Sequence, residues 1–481
     1  MPVKDLREWM DNIDKMGELL TVNGAHWDVE LGVITDLYQQ KPGTPALLFD
    51  EIPGYPKGFR VLSNSCMSMK RIAYSLEMPL ELDKMGMVKY WKDFTKEMEY
   101  IPPRVVENGP VFENIIEGSD VNCFDFPSPK WHELDGGRFI GTAVMCITKD
   151  PEDGWVNFGA YRVQNSKDKD KLMMRCSPGR HGLTHMHKWW KMGKPCPVAI
   201  VVGMDPLLYM ISGLEVPTGV SEYEYAGGIR KEPVDVVLGP KSGLPIPATA
   251  ELVFEGEIHE GDLEAEGPFG EWTGYYAGGI KPEPVIRVTS ILHRNDPIIL
   301  GSSPAKPPSD TTYYRSPIRS AMIWNQLEGA GVDGIKGVWA HEAGAGRLLI
   351  IVSIKQLRPG HSKMAGMVAS SCFAAAYCNR MTIVVDDDVD VTDTNDVLWA
   401  TLTRMDPAVD LDVIKKCWST RLDHIAYPAD NRVFNNRVII DACESYDNLN
   451  IAPPVATTTP AKAEEIRKKW PQLFQSEFFT K

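Results

Sequence analysis

The spacing of apolar residues changes twice along the chain and predicts three regions. In the first, Leu6, Trp9, Met10 and Ile13 recur at the spacing of one helix face among charged residues, which is typical of an amphipathic helix. One short apolar run at 46–49 indicates a strand. Prolines and glycines before about residue 115 mark the end of this region.

The second region, residues 116–305, is rich in short apolar runs that end at glycines or prolines. Its predicted strands are 141–147, 156–162, 198–202, 248–255 and 285–292. Short strands of this kind favour a β-barrel or a β-sandwich over a doubly wound sheet.

The third region, residues 306–481, alternates helices with strands. Its predicted elements are a helix at 318–326, a strand at 348–354, a helix at 363–377 and a strand at 382–385. This rhythm favours a parallel sheet. The sequence therefore predicts an α/β protein of three domains, 1–115, 116–305 and 306–481.

Composition excludes several classes of protein. A chain of 481 residues, of which 43% are hydrophobic, is long enough for two to four domains. Its net charge of -14 argues against a nucleic-acid partner, which would require a basic surface. We find no signal-peptide pattern and no apolar run as long as a membrane span. Nine cysteines without a C-x-x-C pair indicate reduced thiols, and we expect a cytoplasmic protein.

The candidate chemistry centres on residues 266–276, with the sequence E-G-P-F-G-E-W-T-G-Y-Y. Gly267, Pro268 and Gly270 break both helix and strand, so the carboxylates of Glu266 and Glu271 stand at the two ends of a stiff loop. Two carboxylates in different environments can serve as an acid and a base. On spacing alone, a glycine-rich turn with solvated acids remains the alternative.

A second segment, 155–162, has the sequence W-V-N-F-G-A-Y-R and is predicted as a strand with polar Asn157 and Arg162. Together, E-G-P-F-G-E-x-x-G-Y and N-x-G-x-Y-R resemble motifs of the UbiD-like family of reversible decarboxylases, which use prenylated flavin mononucleotide (FMN). The resemblance continues through residues 5–9, 45–50, 219–229, 247–256, 361–366 and 383–390. It therefore spans essentially the whole chain.

The resemblance implies an N-terminal α/β domain, a central flavin-binding split β-barrel, and a C-terminal α/β domain that ends in a helix. The C-terminal domain would mediate homo-oligomerisation, as a dimer or a hexamer. It also implies a carboxy-lyase that reversibly removes carbon dioxide from an unsaturated, aromatic or heteroaromatic acid. A flavin prenyltransferase would supply the cofactor. Two alternatives stay open: a subunit of a larger aromatic carboxylase complex, and a flavin oxidoreductase.

The same resemblance assigns roles to individual residues. Arg162 would orient the substrate carboxylate and pair with Glu266, while Glu271, desolvated by its aromatic neighbours, would donate the proton. The cofactor-binding residues it implies are Asn157, Gly159, Ala160, Tyr161, Arg162, Arg180, His181, Glu222 and Lys363. Without the resemblance, Lys363 would be interpreted as an ordinary exposed lysine at the start of a helix.

The implied metal ligands are Asn157, His181 and Glu222, binding Mn²⁺ or Mg²⁺ beside the flavin phosphate, with a potassium ion nearby. His185 and His187 remain alternatives to His181, because the local sequence departs from the family pattern. Glu224 would share a strand face with Glu222, so the choice between them depends on the family pattern.

Three other patterns have simpler explanations. The G-x-G-x-x-G match at 329–334 follows a predicted helix instead of a strand, which indicates a helix-terminating loop. A zinc site of His181, His185 and His187 lacks a nearby cysteine or acid at zinc-site spacing. The acids at 386–388 follow a strand and favour a structural or solvated role.

Two segments bear on the substrate. Residues 421–428 are expected to cover the site, and residues 311–315 to face it, and both carry His, Tyr or Arg side chains. Groups that hydrogen-bond ring substituents favour a ring acid over a cinnamic-type acid.

Overall fold

A computed structural model describes residues 3–177, 179–214, 216–217, 219–420, 422–426 and 434–474. Its helices are α1 (Leu6–Lys15), α2 (Glu30–Gln39), α3 (Met69–Ser75), α4 (Lys84–Glu97), α5 (His181–Lys191), α6 (Pro206–Ser212), α7 (Glu222–Arg230), α8 (Arg315–Gly329), α9 (His361–Ser371), α10 (Phe373–Ala376), α11 (Thr394–Arg404), α12 (Pro460–Lys469) and α13 (Pro471–Phe474). The predicted α/β class is confirmed.

The strands form four sheets. They are β1 (Leu19–Asn23), β2 (Ala46–Asp50), β3 (Arg60–Ser63), β4 (Arg104–Val105), β5 (Asn114–Glu117), β6 (Val144–Lys149), β7 (Val156–Gly159), β8 (Val163–Asn165), β9 (Lys171–Met174), β10 (Cys196–Val202), β11 (Asp235–Leu238), β12 (Pro245–Pro247), β13 (Leu252–Glu266), β14 (Lys281–His293), β15 (Ile298–Leu300), β16 (Ile335–Ala340), β17 (Leu349–Ile354), β18 (Met381–Asp386), β19 (Leu411–Trp418) and β20 (Phe434–Ala442).

The N-terminal sheet has the order β1-β2-β3-β15. Asp5 caps the N-terminus of helix α1, where its side chain accepts a hydrogen bond from the Glu8 backbone N–H. The helix buries the four predicted apolar residues. Strand β15, from residues 298–300, completes the sheet beside β3, so the chain returns here after the central region.

The central sheet follows the path β7-β6-β10-β13-β14-β9-β8, and β5 also pairs with β14. An isolated antiparallel bridge between Gly141 and Val163 joins the segment before β6 to β8 at the other end of the path. The sheet thus curls back on itself, as a barrel does. Strands β13 and β14 are much longer than predicted and shift register at Glu255/Gly256, which bends them.

The C-terminal sheet has the order β16-β17-β18-β20-β19. Its three inner strands are parallel, as predicted, but both outer strands are antiparallel. At the end of β18, Asp386 and Asp388 both bind Arg404, which supports a structural role for this acidic run. A smaller sheet has the order β12-β11-β4, and two of its strands, β11 and β12, come between β10 and β13 in the sequence.

Apolar side chains form two main clusters. One cluster packs against the central sheet and includes the aromatic residues Trp131, Phe139 and Phe254. The other joins α1, α4 and α8 to the C-terminal sheet. The nine cysteines are all unpaired, and seven are buried. Among the described residues, the structure contains no helix that combines the length and apolarity needed to span a membrane.

Candidate active site

The loop after β13 has neither helix nor strand at 267–270, as its glycines and proline predicted. Gly267 has φ +90, and a Cβ there would approach the Gly279 carbonyl oxygen to 2.7 Å. The Pro268 carbonyl accepts a hydrogen bond from Gly136 N at 2.8 Å, and the Phe269 ring packs against Phe139 with centroids 4.1 Å apart. These contacts fix the loop against the segment that precedes β6.

Arg162 lies between the two carboxylates that bound this loop. Its Nε and Nη2 donate to the two oxygens of Glu266 at 2.6 and 2.8 Å, and its Nη1 donates to Glu271 Oε1 at 2.7 Å. The bidentate geometry matches the planar guanidinium to a carboxylate. The structure therefore brings together the three predicted catalytic residues, which lie more than 100 positions apart at the extremes of the group.

This cluster is nearly sealed from solvent. The Glu266 side chain is fully buried, and those of Arg162 and Glu271 are 10% and 9% exposed. Burial by itself lowers the pKa of Arg162, but the carboxylates of Glu271 and Glu266 outweigh burial and leave the pKa above its ordinary value. Arg162 therefore stays charged at any pH at which the protein is folded.

The predicted strand 156–162 was too long. Strand β7 ends at Gly159, and β8 begins at Val163 after the turn that carries Arg162. In this turn, Ala160 N donates to the Ser212 carbonyl at 2.9 Å. Tertiary contacts thus interrupt a pattern that is continuous in the sequence.

Two charged residues beside the cluster were missed by sequence reasoning. Arg175 Nη1 lies 3.8 Å from both Glu266 and Glu271, and its Nε lies 3.7 Å from Glu283 Oε1. Burial raises the pKa of Glu283 to about 7, a rise that Arg175 opposes and Glu266 reinforces. Only a correct pairing of β8 with β9 and of β9 with β14 would have found them.

A second cluster of polar residues also holds the loop in place. His132 Nε2 lies 3.0 Å from Asp36, and its Nδ1 lies 3.8 Å from Asp135, which accepts a hydrogen bond from the Tyr276 hydroxyl at 3.1 Å. Burial lowers the pKa of His132, but Asp36 outweighs it and raises the pKa overall. This group connects the far end of the loop to α2.

Asn157 and His181, two of the predicted metal ligands, are in contact. Asn157 Oδ1 lies 3.2 Å from His181 Nδ1. The Tyr161 hydroxyl lies 3.5 Å from Asn157 Nδ2 and accepts a hydrogen bond from the backbone N of Gly182, the residue after His181, at 3.3 Å. Trp155 packs edge-on against the His181 ring at 4.7 Å between centroids.

Glu222 lies next to this pair but not on the predicted strand. It is the first residue of α7, and its carboxylate accepts a hydrogen bond from Phe158 N, the residue after Asn157, at 3.0 Å. The strand interpretation of Glu222 and Glu224 is wrong, because Glu224 closes the capping box of α7 by binding Ser221 N. Burial raises the pKa of Glu222 to about 7.

The other two histidines of α5 have separate surroundings. His185 is buried, with Nδ1 2.9 Å from Thr148 Oγ1, and burial lowers its pKa to about 4. The His187 ring packs near Trp190 at 5.5 Å. Within the described part of the chain, no three His, Cys, Asp or Glu side chains form a group that could hold a metal. The implied set differs in that one ligand is an asparagine.

The remaining predicted cofactor residues are divided between two places. Gly159 adjoins Tyr161, where a Cβ would come within 2.5 Å of the ring, and Arg180 is exposed at the start of α5. Lys363 lies in the first turn of α9, and its Nζ forms a short ion pair with Asp412 on β19. Among the described residues, no hydrogen bond or ion pair joins Lys363 to Asn157 or His181.

The segment expected to cover the site contacts residues 266–276, which we call the acid loop. Leu422 O accepts a hydrogen bond from Thr273 Oγ1 at 3.3 Å, and the His424 ring stacks on Tyr275 with centroids 4.0 Å apart. Arg421 and residues 427–428 of this segment lie outside the described residues. The described part thus links the C-terminal region to the loop that carries Glu271.

Residues 311–315 are mostly buried. Thr312 Oγ1 bonds to the Ser309 carbonyl at 3.1 Å, and Tyr314 is fully buried beside Tyr209 of α6. Helix α6 ends at Ser212, whose carbonyl accepts a hydrogen bond from Ala160 N. Residues 311–315 are therefore linked through α6 to the turn that carries Arg162.

Comparison with known protein families finds one family that matches most of the chain. Models for the N-terminal, Rift-related and C-terminal domains of 3-octaprenyl-4-hydroxybenzoate carboxy-lyase match residues 10–86, 104–307 and 312–442. The chain belongs to the UbiD family.

Particular relatives are similar along almost the whole chain. A phenolic acid decarboxylase of Bacillus subtilis is 33% identical and covers 100% of this chain and 98% of its own. A pyrrole-2-carboxylic acid decarboxylase of Pseudomonas aeruginosa is 30% identical over 84% of each chain. The solved structure of the UbiD-class enzyme HmfF from Pelotomaculum thermopropionicum, in complex with FMN, has a TM-score of 0.84 and 28% identity, covering 96% of this chain and 98% of its own.

Proposed function

We propose that this protein is a carboxy-lyase that reversibly decarboxylates an aromatic or heteroaromatic acid with bound prenylated FMN. The observation that carries the proposal is the buried Arg162, held by both oxygens of Glu266 and hydrogen-bonded to Glu271. Relatives named as decarboxylases of phenolic and pyrrole acids support the substrate class. The presence of all three residues in one cluster supports activity of this chain without a partner subunit.

In this proposal the protein performs three tasks. Arg162 binds the substrate carboxylate while Glu266 fixes the guanidinium plane, which orients the bond to be broken. The buried cluster excludes water. As that bond breaks, carbon dioxide leaves, the electron pair stays with the ring carbon, and Glu271 donates a proton to it. The bound prenylated flavin would supply the electron-accepting chemistry that side chains lack.

Cofactor binding is assigned to the Asn157 and His181 side of the site. The amide oxygen, imidazole nitrogen and Glu222 carboxylate are suitable donors for Mn²⁺ or Mg²⁺, and a divalent ion would neutralise the flavin phosphate. Arg180 and Lys363 would approach the phosphate, which requires Lys363 to leave Asp412. A potassium ion nearby completes the proposed cofactor set.

The described cover of the site supports a ring acid. Tyr275 and His424 stack directly and offer a phenol and an imidazole where the acid loop meets the C-terminal region. Such groups can hydrogen-bond a ring hydroxyl or ring nitrogen, which an acrylic acid with a plain phenyl ring does not offer.

We also propose a cytoplasmic homo-oligomer, a dimer or a hexamer, that receives its flavin from a prenyltransferase. Leu402 on α11 is 79% exposed, and Val413 and Trp418 on the edge strand β19 are 63% and 52% exposed. Exposed apolar residues on an edge strand and its neighbouring helix are suited to contact a second subunit. Light scattering on the purified protein would measure the assembly.

The function is tested on protein co-expressed with a flavin prenyltransferase. Mass spectrometry should detect released prenylated FMN, and a panel of hydroxybenzoic, naphthoic, furoic and pyrrole carboxylic acids should include a substrate. Exchange of labelled bicarbonate into that substrate should show the reverse reaction. Turnover confined to cinnamic or sorbic acid would contradict the ring-acid assignment, and consumption of reduced nicotinamide would indicate an oxidoreductase.

A further inference from the structure

Arg162, Arg175 and Glu283 form a row across three neighbouring strands. Val163 pairs with Met174, so the next pair outward places Arg162 beside Arg175, and Arg175 N donates to the Arg162 carbonyl at 3.1 Å. The pairing of β14 with β9 continues in the same way to set Glu283 opposite Arg175. Side chains at paired positions point to the same face of a sheet, so the row faces the acid loop.

Arg175 is shared by three carboxylates and bound tightly by none. Its guanidinium lies 3.7 to 3.8 Å from Glu266, Glu271 and Glu283, and its side chain is 11% exposed. Its buried Nη1 makes no hydrogen bond to any described residue. A Cβ on Gly278 would lie 2.5 Å from Glu271 Oε1 and 2.8 Å from Arg175 Nη1, so the loop backbone closes directly over the pair.

The charges of this cluster do not balance. Two buried guanidiniums face three carboxylates, all with side chains at most 13% exposed, so full ionisation of these five groups leaves one negative charge in excess. The nearby cation Lys281 is only half-buried. A buried excess charge is costly and is relieved by taking up one proton. The raised pKa of Glu283, to about 7, agrees with that requirement.

All charged groups facing Glu283 contribute to this balance. Arg175 follows β9, Arg162 precedes β8, Glu266 ends β13, and Lys281 lies two residues away on the same strand. Glu264 of β13 is opposite Glu283 in the register, but its carboxylate accepts a hydrogen bond from Ser166 at 2.7 Å. It therefore provides a matched control on the same strand pair.

We propose that Glu271 and Glu283 share one proton across Arg175, which makes Arg175 and Glu283 positioning residues for the acid step. An ionised Glu283 competes with Glu271 for the positive charge of Arg175, whereas a neutral Glu283 leaves that charge to Glu271 and Glu266. The role assigned to Glu271 rests on the proposed function, whereas the proton count rests on the cluster itself.

Single substitutions should shift the pH dependence of turnover in opposite directions. Glu283→Gln removes the excess negative charge, so the alkaline limb of the pH–rate profile should move to lower pH and kcat at pH 8 should fall by about tenfold, the equivalent of one pKa unit. Arg175→Gln removes a cation and should move the same limb to higher pH. The double variant should return toward wild type, and Glu264→Gln should leave the profile unchanged.

A structural role for either residue would lower kcat without shifting the pH–rate profile in opposite directions, and that result would overturn the proposal.

A second measurement needs no substrate. A carboxyl with a raised pKa stabilises the folded protein fully below its ordinary value of 4.5, and this contribution is lost as the pH rises through about 7. The melting temperature of wild type should therefore fall between pH 5 and pH 8 by more than that of Glu283→Gln.

Equal pH dependence of melting in the two proteins would overturn the shared proton even in an active enzyme. If no acid is turned over by any variant, the proposed function fails, while the melting comparison still decides whether the cluster binds the proton. The Glu264→Gln control, measured alongside, should melt with the pH dependence of wild type.

Discussion

The two sides of the candidate site differ in how their polar groups are satisfied. On the acid side, Arg162 donates hydrogen bonds of 2.6 to 2.8 Å to Glu266 and Glu271. On the proposed cofactor side, His181 Nδ1 lies 3.2 Å from Asn157 Oδ1, and Lys363 is paired with Asp412. On the acid side, groups of opposite charge bind each other directly, whereas Asn157, His181 and Glu222 all offer electron pairs and include no cationic side chain.

The two sides also differ in the secondary-structure elements that carry them. The acid side is carried by the start of β8 and the end of β13, which belong to one hydrogen-bonded sheet. The cofactor side combines β7 with the first turns of α5, α7 and α9, which come from separate parts of the chain. We therefore expect substitutions on the acid side to affect stability and chemistry together, and those on the cofactor side to affect ligand retention.

The largest effect is expected for Arg162→Met. It leaves the fully buried Glu266 carboxylate without its bidentate partner, which should cost about 3–5 kcal/mol in the free energy of unfolding. Turnover should be lost as well. Urea unfolding measures the first effect, and the double variant Arg162→Met/Glu266→Leu should recover part of the lost stability. A single variant as stable as wild type would show that the pair does not support the fold.

Glu271→Gln should separate chemistry from binding on the same side. The amide keeps the shape and one hydrogen bond but cannot donate a proton, so turnover should fall by about 10²–10⁴-fold. Bound flavin, measured by its absorbance per protein, should be unchanged, because Glu271 belongs to the acid side. Wild-type turnover of an accepted acid would rule out the proton-donor role.

His181→Ala should affect the cofactor side alone. Removing one of three proposed ligands should lower metal affinity by at least about 10-fold and release flavin, with unfolding by urea nearly unchanged. His187→Ala is the matched control on the same helix, and it should retain metal and flavin. Metal analysis and flavin absorbance measure both. A His181→Ala protein that purifies with its full metal content would exclude His181 as a ligand.

The smallest effect is expected for Asp412→Asn, which releases Lys363 from its ion pair. The pair is roughly one-third exposed and should be worth no more than about 1 kcal/mol, so FMN should bind up to about fivefold more tightly. Lys363→Ala should weaken binding in the same titration. If both substitutions leave FMN affinity unchanged, Lys363 does not serve the phosphate.

Local patterns were sufficient for several features. The spacing of Leu6, Trp9, Met10 and Ile13 determined helix α1, since one apolar stripe must be buried. The glycines and proline between Glu266 and Glu271 determined an irregular loop, because they are incompatible with regular structure. Residues within one motif share a short stretch of backbone, so their order limits where they can lie.

Other features depended on which segments meet. The sequence around Glu222 fits a strand or a helix, and the capping box with Ser221 and Glu224 made it a helix whose first residue faces Phe158. Lys363 was predicted at a helix start, but only the packing of α9 near β19 gave it Asp412 as a partner.

The amino-acid sequence by itself determined the α/β class and the irregular acid loop between Glu266 and Glu271, because both follow from local periodicity or from a contiguous motif. Only the tertiary structure decided that Arg175 and Glu283, 108 positions apart, face the cluster around Arg162. Strand register makes this choice, since a shift of one residue would turn either side chain to the opposite face of the sheet. The charge balance of the site is therefore a property of the assembled sheet.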